Sequence, residues 1–327
     1  PFGFDDPWTS GDTFLDDDPL NTPLAPLDKN GEGNLSKWGG LVILGNAPTN
    51  LQDKCGVGYG KCTIEGLTFP GFPAQDALYG GEDPHDSSGI MRYVSIRHGG
   101  DEIGEGNELN CLSLGGVGDG TVLDFVECYV NFDDGFEWFG GTVDSSHLIS
   151  SMIGDDTFDL DQGFTGFNQF WFGVMPFFDE NPSGTYGSKS GDKAGEWDGD
   201  DYAERGQDVN LRRGTNPAVT EDTPWPLSGP AVWNLTMIGS TPDVASPCFA
   251  QTNGDNTGIQ MRNGFAGRVY NSIITNTGSK TPVDVVVGDG SITGHDAPAH
   301  SAAGLISLQC TTIQSPTAPN DAGALAN

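Results

Sequence analysis

VECYVNFDDGFEWF, residues 126–139, is echoed 22 residues later by LISSMIGDDTFDLD, residues 148–161. The pairs Val126/Leu148, Val130/Met152, Asp133/Asp155, Asp134/Asp156, Phe136/Phe158 and Glu137/Asp159 all keep that offset. A fixed period of this length marks a solenoid, in which each repeat is one structural unit stacked on the next. The unit is too short for two helices and a turn. Its apolar residues alternate, with Val126, Cys128 and Val130 on one side and Glu127 and Tyr129 on the other, which is the two-residue period of a strand. A further step of 22 reaches FWFGVM at 170–175. Three successive coils are therefore expected to stack Val126 on Leu148 on Phe170, and Val130 on Met152 on Val174. Ordinary hairpins sharing a turn by chance would not repeat the acidic turn and the strand pattern together.

Composition fits such a fold. Glycine accounts for 49 of 327 residues while charged residues are only 18%, as expected of a chain with several tight turns per coil. A solenoid runs long as one unit because each coil touches only its neighbours, so a single elongated domain is expected. There are 46 acidic residues against 14 basic ones, a formal net charge of -32. That balance repels phosphate backbones and anionic membranes, which argues against a nucleic-acid partner. It is also self-repulsive unless counter-ions enter, and calcium is the natural candidate for clustered carboxylates. No apolar run is long enough for a transmembrane segment. Pro1 is not preceded by a charged and apolar leader, so either a signal segment has been removed or the chain starts earlier.

The six cysteines show neither CxxC nor CxxCH spacing, which points to disulfides and an oxidising location. Cys55 and Cys62 flank a short loop. The other four allow Cys111 with Cys128 and Cys248 with Cys310, although spacing does not fix connectivity, and buried free thiols compete with bridges. Three parts are expected along the chain. Residues 1–34 form an acidic arm carrying Phe2, Phe4, Trp8 and Phe14, residues 35–315 form the β-solenoid with a polar insertion at about 179–230, and residues 316–327 form a tail.

The blocks WGGLVILGNAP (38–48), YGGEDPHDSSGIMRYVSIRHGG (79–100), GNELNCLSLGGVGDGTVLDFVECYVNFDDGFEWFGGTVD (106–144), GDDTFDLDQGF (154–164) and GIQMRNGFAGRVYNSIITNTG (258–278) resemble a large group of exported bacterial surface proteins. These are right-handed parallel β-helices of the pectate-lyase-like superfamily. The resemblance implies an all-β fold and export to the extracellular space or outer cell surface, and leaves activity open because the group is mostly without an assigned role. Such proteins usually carry further coils before the WGG block. Here that place is taken by the acidic arm, so an exposed sheet edge needs covering by the arm or by another subunit.

The strongest candidate site is an acidic ladder. Aligning the turns places Glu108, Glu137 and Asp159 at equivalent positions, with Asp133, Asp134, Asp155, Asp156 and Asp161 on the same edge. Coils about 4.8 Å apart would stack these carboxylates at a cost of several kcal/mol unless protons or cations intervene. Bound calcium competes with solvation or with pairing to Arg92 and Arg97. A second candidate is Asp28, Asn30 and Glu32 in LDKNGEGN, which resembles half of an EF-hand loop without the distal glutamate. A third is Glu196, Asp198, Asp200 and Asp201 within the insertion.

Catalysis has thinner support. A uronate lyase needs a poised base and positive charge, for which Arg212 with Arg213, or Arg97 with His98, are the available pairs. A glycan hydrolase could draw an acid and a base from Asp133, Asp134, Asp155 and Asp156. The histidines His85, His98, His147, His295 and His300 have no metal spacing. The leading expectation is a calcium-stabilised structural subunit that binds copies of itself end to end in a filament or surface layer. The alternative is a monomeric adhesin or glycan-active β-helix with a polysaccharide partner.

Overall fold

The computed structural model describes residues 38–50, 62–64, 67, 74–104, 107–175, 191–199, 228–239, 257–277, 281–288 and 296–314. The acidic arm at 1–34, the tail at 316–327, and the candidate residues Asp28, Asn30, Glu32, Asp200, Asp201, Arg212, Arg213, Cys55 and Cys248 lie outside the described residues. Within them the chain winds as a parallel β-helix. Seven strands stack in one sheet, in the order Leu41–Leu44, Leu112–Gly115, Phe136–Phe139, Phe158–Asp161, Lys193–Asp198, Thr257–Arg262 and Val283–Val285. A second, 11-stranded sheet supplies the other two walls. Its long strands Ile90–Gly99, Val122–Asn131 and Ser145–Ile153 bend midway. In later coils the same path divides, as in Phe167–Gln169 followed by Phe172–Val174.

The bend is set by one left-handed residue per coil. Tyr93, Phe125, His147, Phe170, Asn234, Asn271 and Cys310 all have φ between 48° and 59°, a conformation uncommon outside glycine. In the first four coils these residues are aromatic and stack face to face along the axis: Tyr93 on Phe125 at 4.9 Å, Phe125 on His147 at 4.1 Å and His147 on Phe170 at 4.8 Å between centroids. In the next two coils an amide pair takes over, Asn271 Nδ2 donating to Asn234 Oδ1. Stacking between coils thus offsets the local backbone cost at this corner.

Side chains inside the prism form columns because parallel pairing holds register. Leu114, Trp138, Leu160, Trp197, Met261 and Val285 are successive partners in the seven-stranded sheet, all buried. Gly195 occupies the neighbouring column, and a Cβ there would lie 2.8 Å from Trp197 Nε1, so the glycine makes room for the indole. Opposite it run Ile96, Cys128, Ser150, Gly173, Met237, Ile274 and Ile313. The walls meet in an aromatic cluster, with Trp171 4.9 Å from Trp138 and 4.7 Å from Phe158.

The expected pairing of Val126 with Leu148 is present. The third coil differs by one residue. Its register is Ile149 with Phe172 and Ser151 with Val174, an offset of 23. A one-residue slip exchanges inward for outward positions. Trp171, only 1% exposed, therefore enters the core, while Phe170 stands at the outer bend, 43% exposed. Val130, Met152 and Val174 still touch, in a small cluster apart from the main core. The expected insertion at 179–230 also needs correction, because Lys193–Asp198 is a strand of the seven-stranded sheet, paired with Phe158–Asp161 and Thr257–Arg262.

Cys111 and Cys128 form a disulfide, and Cys62 is also bridged. Cys310 is a free, exposed thiol, which corrects its expected bridge to Cys248. It sits at the outward bend of the last described coil, in line with Asn271. Among the described residues no helix is long and apolar enough to cross a membrane.

Replacing Trp138 with alanine is expected to lower unfolding stability in urea by about 3–5 kcal/mol, the usual cost of removing a large buried aromatic. Phe170→Ala should cost about 0.5–1.5 kcal/mol, the value of an exposed ring pair. Equal losses would contradict the register of the third coil.

Candidate acidic metal centre

The acidic turns lie at one corner of the prism, between the second sheet and the seven-stranded sheet. Their backbones stack directly: Gly154 N–H donates to Asn131 O at 2.9 Å, Gly191 N–H to Gly154 O at 2.9 Å, and Asp192 N–H to Asp155 O at 3.0 Å. Side chains reinforce the stack. Asp134 N–H donates to Asn110 Oδ1 at 3.2 Å, Asp156 N–H to Asp134 Oδ1 at 2.9 Å, and Lys193 N–H to Asp156 Oδ1 at 2.6 Å. Each short polar side chain therefore caps the backbone of the following coil, the role that asparagine and aspartate serve at turns. The repeated acidic turn is structural first.

That arrangement gathers charge. Asp133, Asp134 and Asp155 bring oxygens within 4.8 Å of one another, and so do Asp134, Glu137 and Asp159; Asp155, Asp156 and Asp192; and Asp156, Asp159 and Glu196. Asp133, Asp134, Glu137 and Asp156 are buried. Burial pushes the Asp156 carboxyl well above its ordinary value, with the Glu196, Asp155 and Asp134 charges adding to the effect and Lys193 opposing it. Asp159 is raised in the same way, by burial and then by Asp134, Glu196, Asp198 and Asp161. Its Oδ1 is buried with no hydrogen-bond partner among the described residues.

Two cations serve one end of this corner. Lys193 Nζ contacts Asp192 and lies 3.1 Å from Glu196 Oε1. Arg262 Nη1 lies 3.0 Å from the same oxygen, and its Nε is 2.8 Å from Asp198 Oδ1. Burial acts to lower the values of both bases. The surrounding carboxylates outweigh it, Asp156 first for Lys193 and Asp198 first for Arg262, and hold both firmly protonated. At the other end, Asn110 Nδ2 donates to Glu137 Oε2, and Asp134, Glu137 and Asp159 lie together there.

The outward column of the seven-stranded sheet reads Ser113, Glu137, Asp159, Glu196, Gln260 and Asp284. Glu137 and Asp159 therefore stack as the sequence indicated. Glu108 does not join them. It lies on the strand Asn107–Leu109 of a small antiparallel hairpin, opposite Glu102, and Ser113 takes the expected place. Arg92 and Arg97 do not neutralise the acids either. Arg92 lies 3.5 Å from Asp124, and Arg97 pairs with Glu127 while its guanidinium lies over the Tyr129 ring at 4.9 Å. Glu196 is a member that the sequence reading assigned to a separate loop. The dipeptide Glu196–Trp197 repeats Glu137–Trp138 and was the signal that linked them. Asp161 stays at the edge of the site, its Oδ1 accepting from Gln162 N–H at 2.6 Å.

A family model described as a pectate-lyase-like β-helix domain matches residues 28–312. The chain belongs to that family. No curated protein and no solved structure matches it. In this β-helix domain the fit of a metal to the acidic corner is favourable in donor type, because a hard cation such as calcium takes carboxylate and carbonyl oxygens at about 2.3–2.6 Å. Oxygens within 4.8 Å of one another can share one such ion, and the orphaned Asp159 Oδ1 is the atom that most needs it.

The raised carboxyls give a signed pH test. Asp156 and Asp159 bind protons more readily folded than unfolded. Their contribution to stability is full below about pH 4 and is lost as pH rises through the raised folded values. Thermal midpoints measured in chelator should fall between about pH 5 and about pH 8. Asp156→Asn keeps the acceptor for Lys193 N–H and removes a buried charge, so it should raise the midpoint in chelator at about pH 8 and flatten the slope. A midpoint that rises with pH in both proteins would contradict this electrostatic reading.

Proposed function

We propose that the chain is an extracellular, non-catalytic β-helical building unit that holds calcium in its acidic corner and docks end to end with copies of itself. The observation that carries the reading is the acidic corner, where carboxylates from successive coils, several of them buried, bring oxygens within 4.8 Å of one another among the described residues. A cation joining neighbouring coils would relieve the repulsion and tie the coils together in one step. Extracellular calcium suits such a site, since modules outside cells bind it with dissociation constants of about 0.1–1 mM. The Cys111–Cys128 bridge supports an oxidising location.

Use of these same aspartates as hydrolase acid and base is disfavoured by their geometry. Asp134 and Asp156 each spend an oxygen on the backbone of the next coil and are buried, whereas a general acid or base must reach the substrate. Of the uronate-lyase pair that falls on described residues, Arg97 with His98, the arginine is engaged by Glu127 and Tyr129.

End-to-end docking is supported by the terminal strands. Among the described residues, Leu41–Leu44 and Ile90–Gly99 each have a neighbour on one side of the ladder only, as do Val283–Val285, Ser307–Gln309 and Thr312–Gln314 at the other end. Ile90 and Tyr93 on the first edge are 76% and 79% exposed. Unpaired edges of this kind invite strand addition, and a contact between unlike ends propagates as a filament.

Negative-stain microscopy and light scattering of the purified chain, with calcium and with chelator, test the proposal. Filaments or sheets in calcium that shorten or dissolve in chelator are the expected result. A monodisperse monomer under both conditions would overturn self-assembly and favour the monomeric adhesin.

A further inference from the structure

The outer face of the second sheet carries a feature that the acidic corner and the strand edges leave unused. An open groove of about 370 Å³ there is lined from five consecutive coils, from Arg92 to Trp233. Its walls are aromatic, with Phe167 63% exposed and Trp233 set 6.1 Å away at a tilt of 37°. Tyr270 continues the wall, stacked on Trp233 at 5.3 Å. Its floor is polar. The outward column reads Arg92, Asp124, Ser146 and Gln169 and ends on Trp233, one residue per coil in unbroken register.

We propose that this groove binds a neutral polysaccharide chain lying along the solenoid axis, with sugar rings against Phe167 and Trp233 and hydroxyl groups on Asp124 and Gln169. Large exposed rings on a pleated surface expose apolar area that solvent does not favour, and rings beside a few fixed polar groups are the usual make-up of a ligand site. The polar groups select the class. Asp124 is already ordered, accepting from Ser146 Oγ at 2.7 Å and lying 3.0 Å from His147 Nδ1 and 3.5 Å from Arg92 Nε. It therefore presents a fixed acceptor that suits hydroxyl donors.

Charge excludes the other occupants. Arg92 faces Asp124, Asp144 also lines the groove, and the chain carries -32 overall, so a polyuronate or a nucleic acid would be repelled. A peptide strand gains nothing on a sheet face, because the backbone groups there are already paired between coils. A neutral glycan needs neither positive charge nor free backbone groups.

Native affinity electrophoresis of the whole chain tests this, with gels containing galactomannan, xyloglucan, mixed-linkage β-glucan, dextran or polygalacturonate. At least one neutral polymer should retard the protein and polygalacturonate should not. Trp233→Ala and Phe167→Ala should each weaken that retardation by about tenfold, while both stay folded with only a small fall in thermal midpoint, because each gives up a ring contact on the outer face. The same result is expected in calcium and in chelator, which separates this site from the acidic corner. Retardation by none of the neutral polymers, by polygalacturonate alone, or to the same extent in both variants would overturn the proposal. So would a loss of self-association in Trp233→Ala without any glycan effect, which would assign the face to a second copy.

Discussion

The hydrogen bond from one coil's backbone N–H to the previous coil's aspartate, Asp156 to Asp134 and Lys193 to Asp156, is the contact on which the acidic corner depends. It aligns the turns, and aligned turns hold the strands beyond them in register. Once Asp134 and Asp156 are fixed in file, Glu137 and Asp159 must also stack, since they lie three residues further along equivalent strands. The geometry that satisfies the backbone therefore concentrates negative charge. Neutral asparagine in that place, as at Asn110, would cap as well without the repulsion. Keeping aspartate in successive coils makes the corner dependent on protons, Lys193, Arg262 or a bound ion.

Much of this was legible in the sequence because β-solenoids write their structure as a period. The offset between Val126 and Leu148, and between Glu137 and Asp159, is the actual strand pairing. The period hides the structure where its length changes. One extra residue before the third coil placed Trp171 inside and Phe170 outside, and alternation in FWFGVM fits either register. A step of 37 residues separates Asp159 from its partner Glu196, which a period of 22 does not reach. There the surrounding sequence is polar and read as an insertion, although Trp197 is fully buried. Glu108 was misplaced for a related reason, since an antiparallel hairpin interrupts the coil just before Leu112.

The opposite faces of the prism are built for different tasks by the same rule. Parallel register turns each outward position into a column, and the residue type repeated in the column decides its chemistry. Carboxylates repeated beside the seven-stranded sheet give a cation-seeking edge. Rings repeated at the left-handed bend give the stack from Tyr93 to Phe170, and aromatic and amide residues beside it give the groove at Trp233.

The most direct test of the account is the location of calcium. Crystals grown with calcium and measured where the ion scatters anomalously should show a peak among Asp134, Glu137 and Asp159, within about 2.3–2.6 Å of their oxygens. Anomalous peaks confined to exposed carboxylates, or an empty corner in which Asp159 shares a proton with a neighbouring acid, would contradict it.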